Sequence, residues 1–127
     1  MKLSAEPQLF VADVTASARY FVDKLGFRIV FLYGEPPYYG QVERGGAHLN
    51  LRCVDKPVIN PELRTREELL SASLTVDSRA GIDALHAELQ SAGVTFAQDL
   101  QDKPWGARDF IVADLDGNLL LFAGPAG

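Results

Sequence analysis

The amino-acid sequence predicts an α+β protein made of two tandem βαβββ units, with the helices on one side of the strands. Three observations carry that prediction. The chain runs through one order of elements twice: LFVAD, a helical pattern, LGF and an apolar run, then SLTVD, a helical pattern, AGV and an apolar run. Each helical pattern has an apolar stripe at the α-helical period. Glycine and proline punctuation cuts the rest of each half into short strand-like segments, and a repeat of this kind dictates the fold class.

In the first half, Ala18, Phe21, Val22 and Leu25 stand at i, i+3, i+4 and i+7, which predicts a helix over Thr15–Leu25. Asp13 or Thr15 can cap its start, and Gly26 ends it where a left-handed residue is wanted. Three strand candidates follow, FRIVFLY, YYGQVER and AHLNLRC, divided by GEPP and GG. In AHLNLRC, Leu49, Leu51 and Cys53 alternate with His48, Asn50 and Arg52. The apolar set must meet the helices, so the polar set lines the opposite face of the sheet. A polar face of that kind suits a cleft or a wet surface.

Residues 54–68 read as a connector, with Asn60 and Pro61 as cap and first residue of one short helical turn. The units are therefore residues 1–53 and 69–127, within one structural domain. The second unit offers strands at ELLSASLTV, VTFAQ, RDFIVAD and NLLLFAG. Its helix spans Arg79–Ala92, with Ile82, Leu85 and Leu89 as the stripe, Ser78 as cap and Gly93 as the stop.

Composition narrows the function. With 47% hydrophobic residues in 127, the chain can bury a core without staples. One cysteine, Cys53, rules out an internal disulfide and a cysteine metal cluster, and fits a reducing cytoplasm. A net charge of −5 argues against nucleic acid as a partner. No signal peptide and no membrane-length apolar run is expected. No nucleophile motif, phosphate loop or nucleotide fingerprint occurs.

The stretches LFVADVTASARYFVDKLGF and PWGARDFIVADLDGN, with the tandem units around them, resemble the vicinal oxygen chelate superfamily. That superfamily includes glyoxalase I, extradiol dioxygenases, and fosfomycin- and bleomycin-resistance proteins. The resemblance covers essentially the whole chain. It implies a curved mixed sheet enclosing a cleft, with helices outside. In metal-dependent members four side chains in the cleft hold a divalent cation, and the corresponding positions here are Glu6, Asn50, Ser71 and Leu121. A catalytic site needs at least three converging imidazoles or carboxylates, and only Glu6 qualifies. No metal or other cofactor is therefore expected. The segment DLDGN, metal-like at first sight, reads as a hairpin turn on Asp116-Gly117, because NLLLF supplies no distal ligand.

Without a metal, the resemblance points to the bleomycin-resistance branch, which binds a drug in clefts between the subunits of an arm-exchanged homodimer. Pro7 fits either the hinge of such an arm or the start of an edge strand. Phe31, Tyr33, Tyr38, Tyr39 and Trp105 are candidates to stack on an aromatic ligand, against cross-strand packing or plugging of the sheet as the structural alternatives. Gln41, His48, Asn50 and Arg52 would orient polar groups. Arg108 could meet a ligand acid or brace a carboxylate, bracing being the commoner fate. His48 is weighed more heavily as an orienting group than as a general base, and His86 is read as structural.

These residues point to a small-molecule binding protein that sequesters an aromatic, antibiotic-like compound. The alternative is an enzyme of the same fold, either metal-free or using an unusual site with Glu6 and His48. A regulatory or scaffolding module is a third reading. Arg52 suits a neutral or anionic ligand and the net charge a cationic one, so ligand charge stays open.

Overall fold

The computed structural model describes all of Met1–Gly127. The first unit comprises β1 (Gln8–Val11), α1 (Val14–Leu25), β2 (Arg28–Gly34), β3 (Pro37–Arg44) and β4 (Ala47–Cys53). A short α2 (Pro61–Arg66) leads to the second unit: β5 (Leu70–Thr75), α3 (Arg79–Ser91), β6 (Thr95–Asp102), β7 (Ala107–Ala113) and β8 (Leu119–Pro125). Each unit is a βαβββ module, as the repeated pattern requires.

Local chemistry sets the helix ends. The Asp13 carboxylate accepts from Ala16 N–H at 3.0 Å, so Asp13 and not Thr15 caps α1. Gly26 takes φ 71°, and Phe27 N–H returns to Phe21 O at 3.0 Å, closing the helix through a left-handed residue. Ser78 Oγ caps α3 through Gly81 N–H at 2.9 Å, and Asn60 Oδ1 caps α2 through Leu63 N–H at 3.0 Å.

The strands form two four-stranded mixed sheets, ordered β1-β4-β3-β2 and β5-β8-β7-β6, with no ladder between them. In each, the first strand lies parallel to the last and the other pairs are antiparallel. Where the resemblance implies one curved sheet, the chain builds two that share a core. That core joins Leu9, Val11, Ala18, Phe21, Val42, Leu49 and Leu51 of the first unit to Ile82, Leu89, Phe110, Val112, Leu120 and Phe122 of the second. His86 belongs to it structurally, packing against Phe96 and Phe110 while its Nε2 meets Asp99 Oδ1 at 2.7 Å.

Polar ties fasten the units as well. Lys24 Nζ donates to Ala92 O at 2.8 Å, and Arg44 makes a two-pronged pair with Glu88 at 2.6 and 2.9 Å. The DLDGN turn closes β7 onto β8 as its Asp-Gly signal requires, with Gly117 at φ 80°. It also crosses to the other unit: Asp116 Oδ1 accepts from Ala12 N–H at 2.8 Å, and Asn118 Nδ2 donates to Phe10 O at 3.1 Å.

Candidate functional site

Parity along the first sheet decides which side chains share a face. Leu9, Val11, Val42, Leu49 and Leu51 are buried beneath α1. Their alternates therefore point away from the helix. Register then arranges those alternates in rows: Tyr33, Tyr39, Arg52 and Phe10 in one, and Phe31, Gln41, Asn50 and Gln8 in the next. A third row pairs Glu43 with His48, and Arg28 lies beside Glu43. A bulge between Ile29 and Phe31 restores the parity of β2, so that Phe31 and Tyr33 join this face.

The face is organised by hydrogen bonds. Gln41 Nε2 donates to Asn50 Oδ1 at 2.9 Å and to Glu6 Oε1 at 3.3 Å, while Asn50 N–H is held by Pro7 O at 2.9 Å. The amides are thus oriented before any ligand arrives. The Phe31 and Tyr39 rings lie 5.7 Å apart at a 49° tilt, leaving a partly exposed aromatic shelf beside them. Glu43 is held below the ordinary carboxylate range, first by Gly46 N–H at 2.9 Å and then by Arg28 at 2.5 Å. Because Glu43 is so committed, and His48 Nδ1 sits 3.2 Å from Gly46 O, no free acid orients His48 as a general base.

Eight of the residues singled out in the sequence can be placed against this face. Phe31, Tyr33, Tyr39, Gln41, His48, Asn50 and Arg52 share it. Tyr38 alternates onto the opposite side with Gly40 and Val42, and at the hairpin tip its ring meets Tyr33 edge-on at 5.6 Å. The remaining two belong to the second unit. Trp105 lies in the turn between β6 and β7, 73% exposed, neither plugging a sheet nor touching the first unit's aromatics; Lys103 Nζ sits 5.3 Å from its ring centroid. Arg108 shares the parity of Phe110 and Val112, which lie in the core, and its guanidinium is bound to Asp83 of α3 at 2.7 Å and Asp102 at 2.9 Å. It braces carboxylates on the helix side of the second sheet, the commoner of the two fates read from the sequence.

Two features escaped the sequence pattern. On the second sheet, the face away from α3 carries Asp109, 2% exposed, which accepts from Gln98 at 2.7 Å and pairs with Lys103 at 3.3 Å. The charged residue inside an apolar run was the available signal. The largest cavity, about 500 Å3, lies at the junction of the units, between Phe27, Arg44 and Ala47 on one side and Val76, Leu85 and Phe122 on the other. It opens on the helix side and includes none of the shelf residues.

The positions that hold a metal in the resembled enzymes do not fit one here. Glu6 and Asn50 are tied to Gln41, Ser71 Oγ meets Asn118 Oδ1 at 3.4 Å, and Leu121 has no donor atom. No three His, Cys, Asp or Glu side chains are grouped to bind an ion.

The sequence profile of the Glyoxalase/Bleomycin resistance protein/Dioxygenase superfamily matches residues 5–122. The chain belongs to that superfamily. Within it, the chain is 29% identical over 128 aligned positions to the bleomycin resistance protein of Geobacillus stearothermophilus, covering 94% of this chain and 95% of that one. Among solved structures, it is similar to the bleomycin-binding protein of bleomycin-producing Streptomyces verticillus, solved with copper(II)-bleomycin. That match has a TM-score of 0.69 and 27% identity, over 100% of this chain and 98% of the other. The bleomycin resistance determinant of transposon Tn5 shares the fold at TM-score 0.73 and 19% identity, with 98% of each chain covered. This is a superfamily member related to bleomycin-resistance-type proteins, on a fold that serves both binding proteins and enzymes.

Proposed function

We propose that this superfamily member is a metal-free small-molecule binding protein that sequesters an aromatic, antibiotic-like compound against the outward face of its first sheet. One observation carries the reading: an aromatic shelf, Phe31 beside Tyr39, adjoins a pre-oriented amide pair, Gln41 and Asn50, on one sheet face. A shelf with fixed polar groups favours a planar ligand in one orientation at low entropic cost. The donor set at the superfamily's metal positions supports binding without metal-assisted chemistry. The relatives named for bleomycin resistance and bleomycin binding support a drug-like ligand.

A homodimer completes the site in this reading, with a second copy covering β2. That strand exposes Ile29, Val30, Phe31, Leu32 and Tyr33 together, each at 37% or more. A long apolar edge left in water invites a partner. The single cysteine fits a reducing cytoplasm as its compartment.

The test is calorimetric titration of the chelator-treated protein with a panel of aromatic antibiotics, bleomycin included, followed by mass analysis of the recovered ligand. An intact ligand, with affinity lowered about tenfold by Tyr39→Ala or Phe31→Ala, is the expected result. Unchanged affinity in both variants would remove the shelf from the site. Conversion of the compound would instead make the protein an enzyme of its superfamily.

A further inference from the structure

Most charged side chains around the two sheets are paired, on either face. Glu43 is neutralised by Arg28, and on the second sheet Asp109 is neutralised by Lys103. Arg44 is taken by Glu88, and Arg108 by Asp83 and Asp102. Arg52 takes part in none of the ion pairs, although it lies in the middle of the aromatic row, between Tyr39 on β3 and Phe10 on β1, with Tyr33 beyond. Phe10 is itself 36% exposed and Tyr39 is half-buried, so Arg52 stands between two partly open rings.

Glu6 belongs to no ion pair; its Oε1 accepts from Gln41 Nε2 at 3.3 Å. Gln41 stands in the row beside that of Arg52, about 7 Å along the strand, and no ion pair joins Glu6 to Arg52. A ligand acid would meet Arg52 at contact distance, where one cation counts for more than a net charge of −5 spread over the whole surface.

We infer that the ligand is a planar aromatic acid: its ring lies on the Phe31–Tyr39 shelf and its carboxylate or sulfonate meets the Arg52 guanidinium. The inference rests on the binding reading of this face and gives that face its ligand class. The fork of N–H donors on an arginine matches a planar carboxylate bidentately, and a stacked ring shields the pair from water. A cationic aromatic would meet an uncompensated like charge in the same row.

Matched probes test it. Naphthoate, naphthamide and naphthylmethylammonium share one ring system and differ in charge at one substituent. Each is titrated by calorimetry into the full-length protein and into its Arg52→Gln and Arg52→Lys variants, whose folding is checked by thermal melts. The expected order has naphthoate binding about tenfold or more tighter than naphthamide, and the ammonium weakest. Arg52→Gln should erase the preference for the acid, bringing naphthoate down to the affinity of naphthamide. Arg52→Lys should restore part of it, because an ammonium keeps the charge and loses the fork. Naphthamide or the ammonium binding as tightly as naphthoate would overturn the inference and leave the shelf standing. So would a preference for the acid that survives Arg52→Gln. If none of the three bound, both the inference and the shelf reading would fall, since naphthamide tests stacking alone.

Discussion

Asn118 ties together parts of the chain that are far apart in sequence. Its side chain is 2% exposed, donating to Phe10 O at 3.1 Å and to Asp114 Oδ2 at 3.0 Å. Asp114 in turn accepts from the N–H groups of Asp116 and Asn118, at 2.9 and 2.8 Å, which fixes the turn. Phe10 stands beside Arg52 on the ligand-facing side, so a bond made behind the sheet helps to place a strand of the candidate site. Replacing Asn118 with alanine strands a partly buried carbonyl and a buried carboxylate oxygen together. We expect Asn118→Ala to lower unfolding stability by about 2–3 kcal/mol, read from denaturant midpoints at constant slope. A loss below about 0.5 kcal/mol would mean that the turn does not fasten the two units. Asp116→Ala, removing one exposed bond to Ala12 N–H, should cost only about 1 kcal/mol.

At the scale of elements, β2 is the anomaly, because five consecutive apolar residues on this edge strand stay partly exposed. Val30 lies in the bulge and is itself neither a shelf residue nor a member of the core cluster. The wild-type protein should sediment as a dimer at micromolar concentration and Val30→Asp as a folded monomer, since an aspartate in an apolar interface is costly to desolvate. A wild-type monomer, or a Val30→Asp dimer as tight as wild type, would remove β2 from any interface. The elements themselves were legible in the sequence because alternation and capping are local: AHLNLRC coincides with β4, and Asp13, Gly26, Ser78 and Asn60 act where their chemistry places them. The polar set His48, Asn50 and Arg52 was legible for the same reason. The side taken by Arg108 was open in the sequence, because Phe110, Ile111 and Val112 are all buried, and a strand covered on both faces carries no alternation to assign its neighbours. Its carboxylate partners, Asp102 and Asp83, the latter on a helix 25 residues away in sequence, fix that side. Tyr38 alternates away from Tyr39 at the hairpin tip, and the ties from the DLDGN turn span more than a hundred residues, beyond any local pattern.

Across the whole molecule, linkage between ionisation and folding gives a pH profile whose two limbs have different owners. Glu43, Glu88, Asp99 and Asp102 are all held below their ordinary range. The leading causes are Gly46 N–H for Glu43, Arg44 for Glu88, Leu100 N–H for Asp99 and Arg108 for Asp102. In the folded state these groups release protons more readily than in the unfolded chain. Their contribution is present above the ordinary carboxylate value of about 4 and is lost as pH falls through their lowered values. Asp114 has the opposite sign: burial raises it, its Asn118 and Asp116 bonds offset that only in part, and its contribution fades as pH rises through its folded value. Mild acidification from neutrality should therefore cost little stability before the steep acid loss begins. The alkaline limb belongs to Tyr20, which is pushed up to about 12, by burial first and by Asp114 second, while its hydroxyl donates to Ala113 O at 3.3 Å. A tyrosine raised in the folded state contributes fully below its ordinary value of about 10, and that contribution is lost as pH climbs toward 12. Tyr20→Phe removes the ionising group and one long hydrogen bond. We expect the variant to be less stable than wild type by about 0.5–1 kcal/mol at neutral pH. Between about pH 10 and 12 the gap should close, because the wild type alone pays to keep Tyr20 protonated. Chemical denaturation at a series of pH values measures both quantities. Parallel curves for the two proteins across that window would show that Tyr20 ionises as freely in the folded protein as in the unfolded chain.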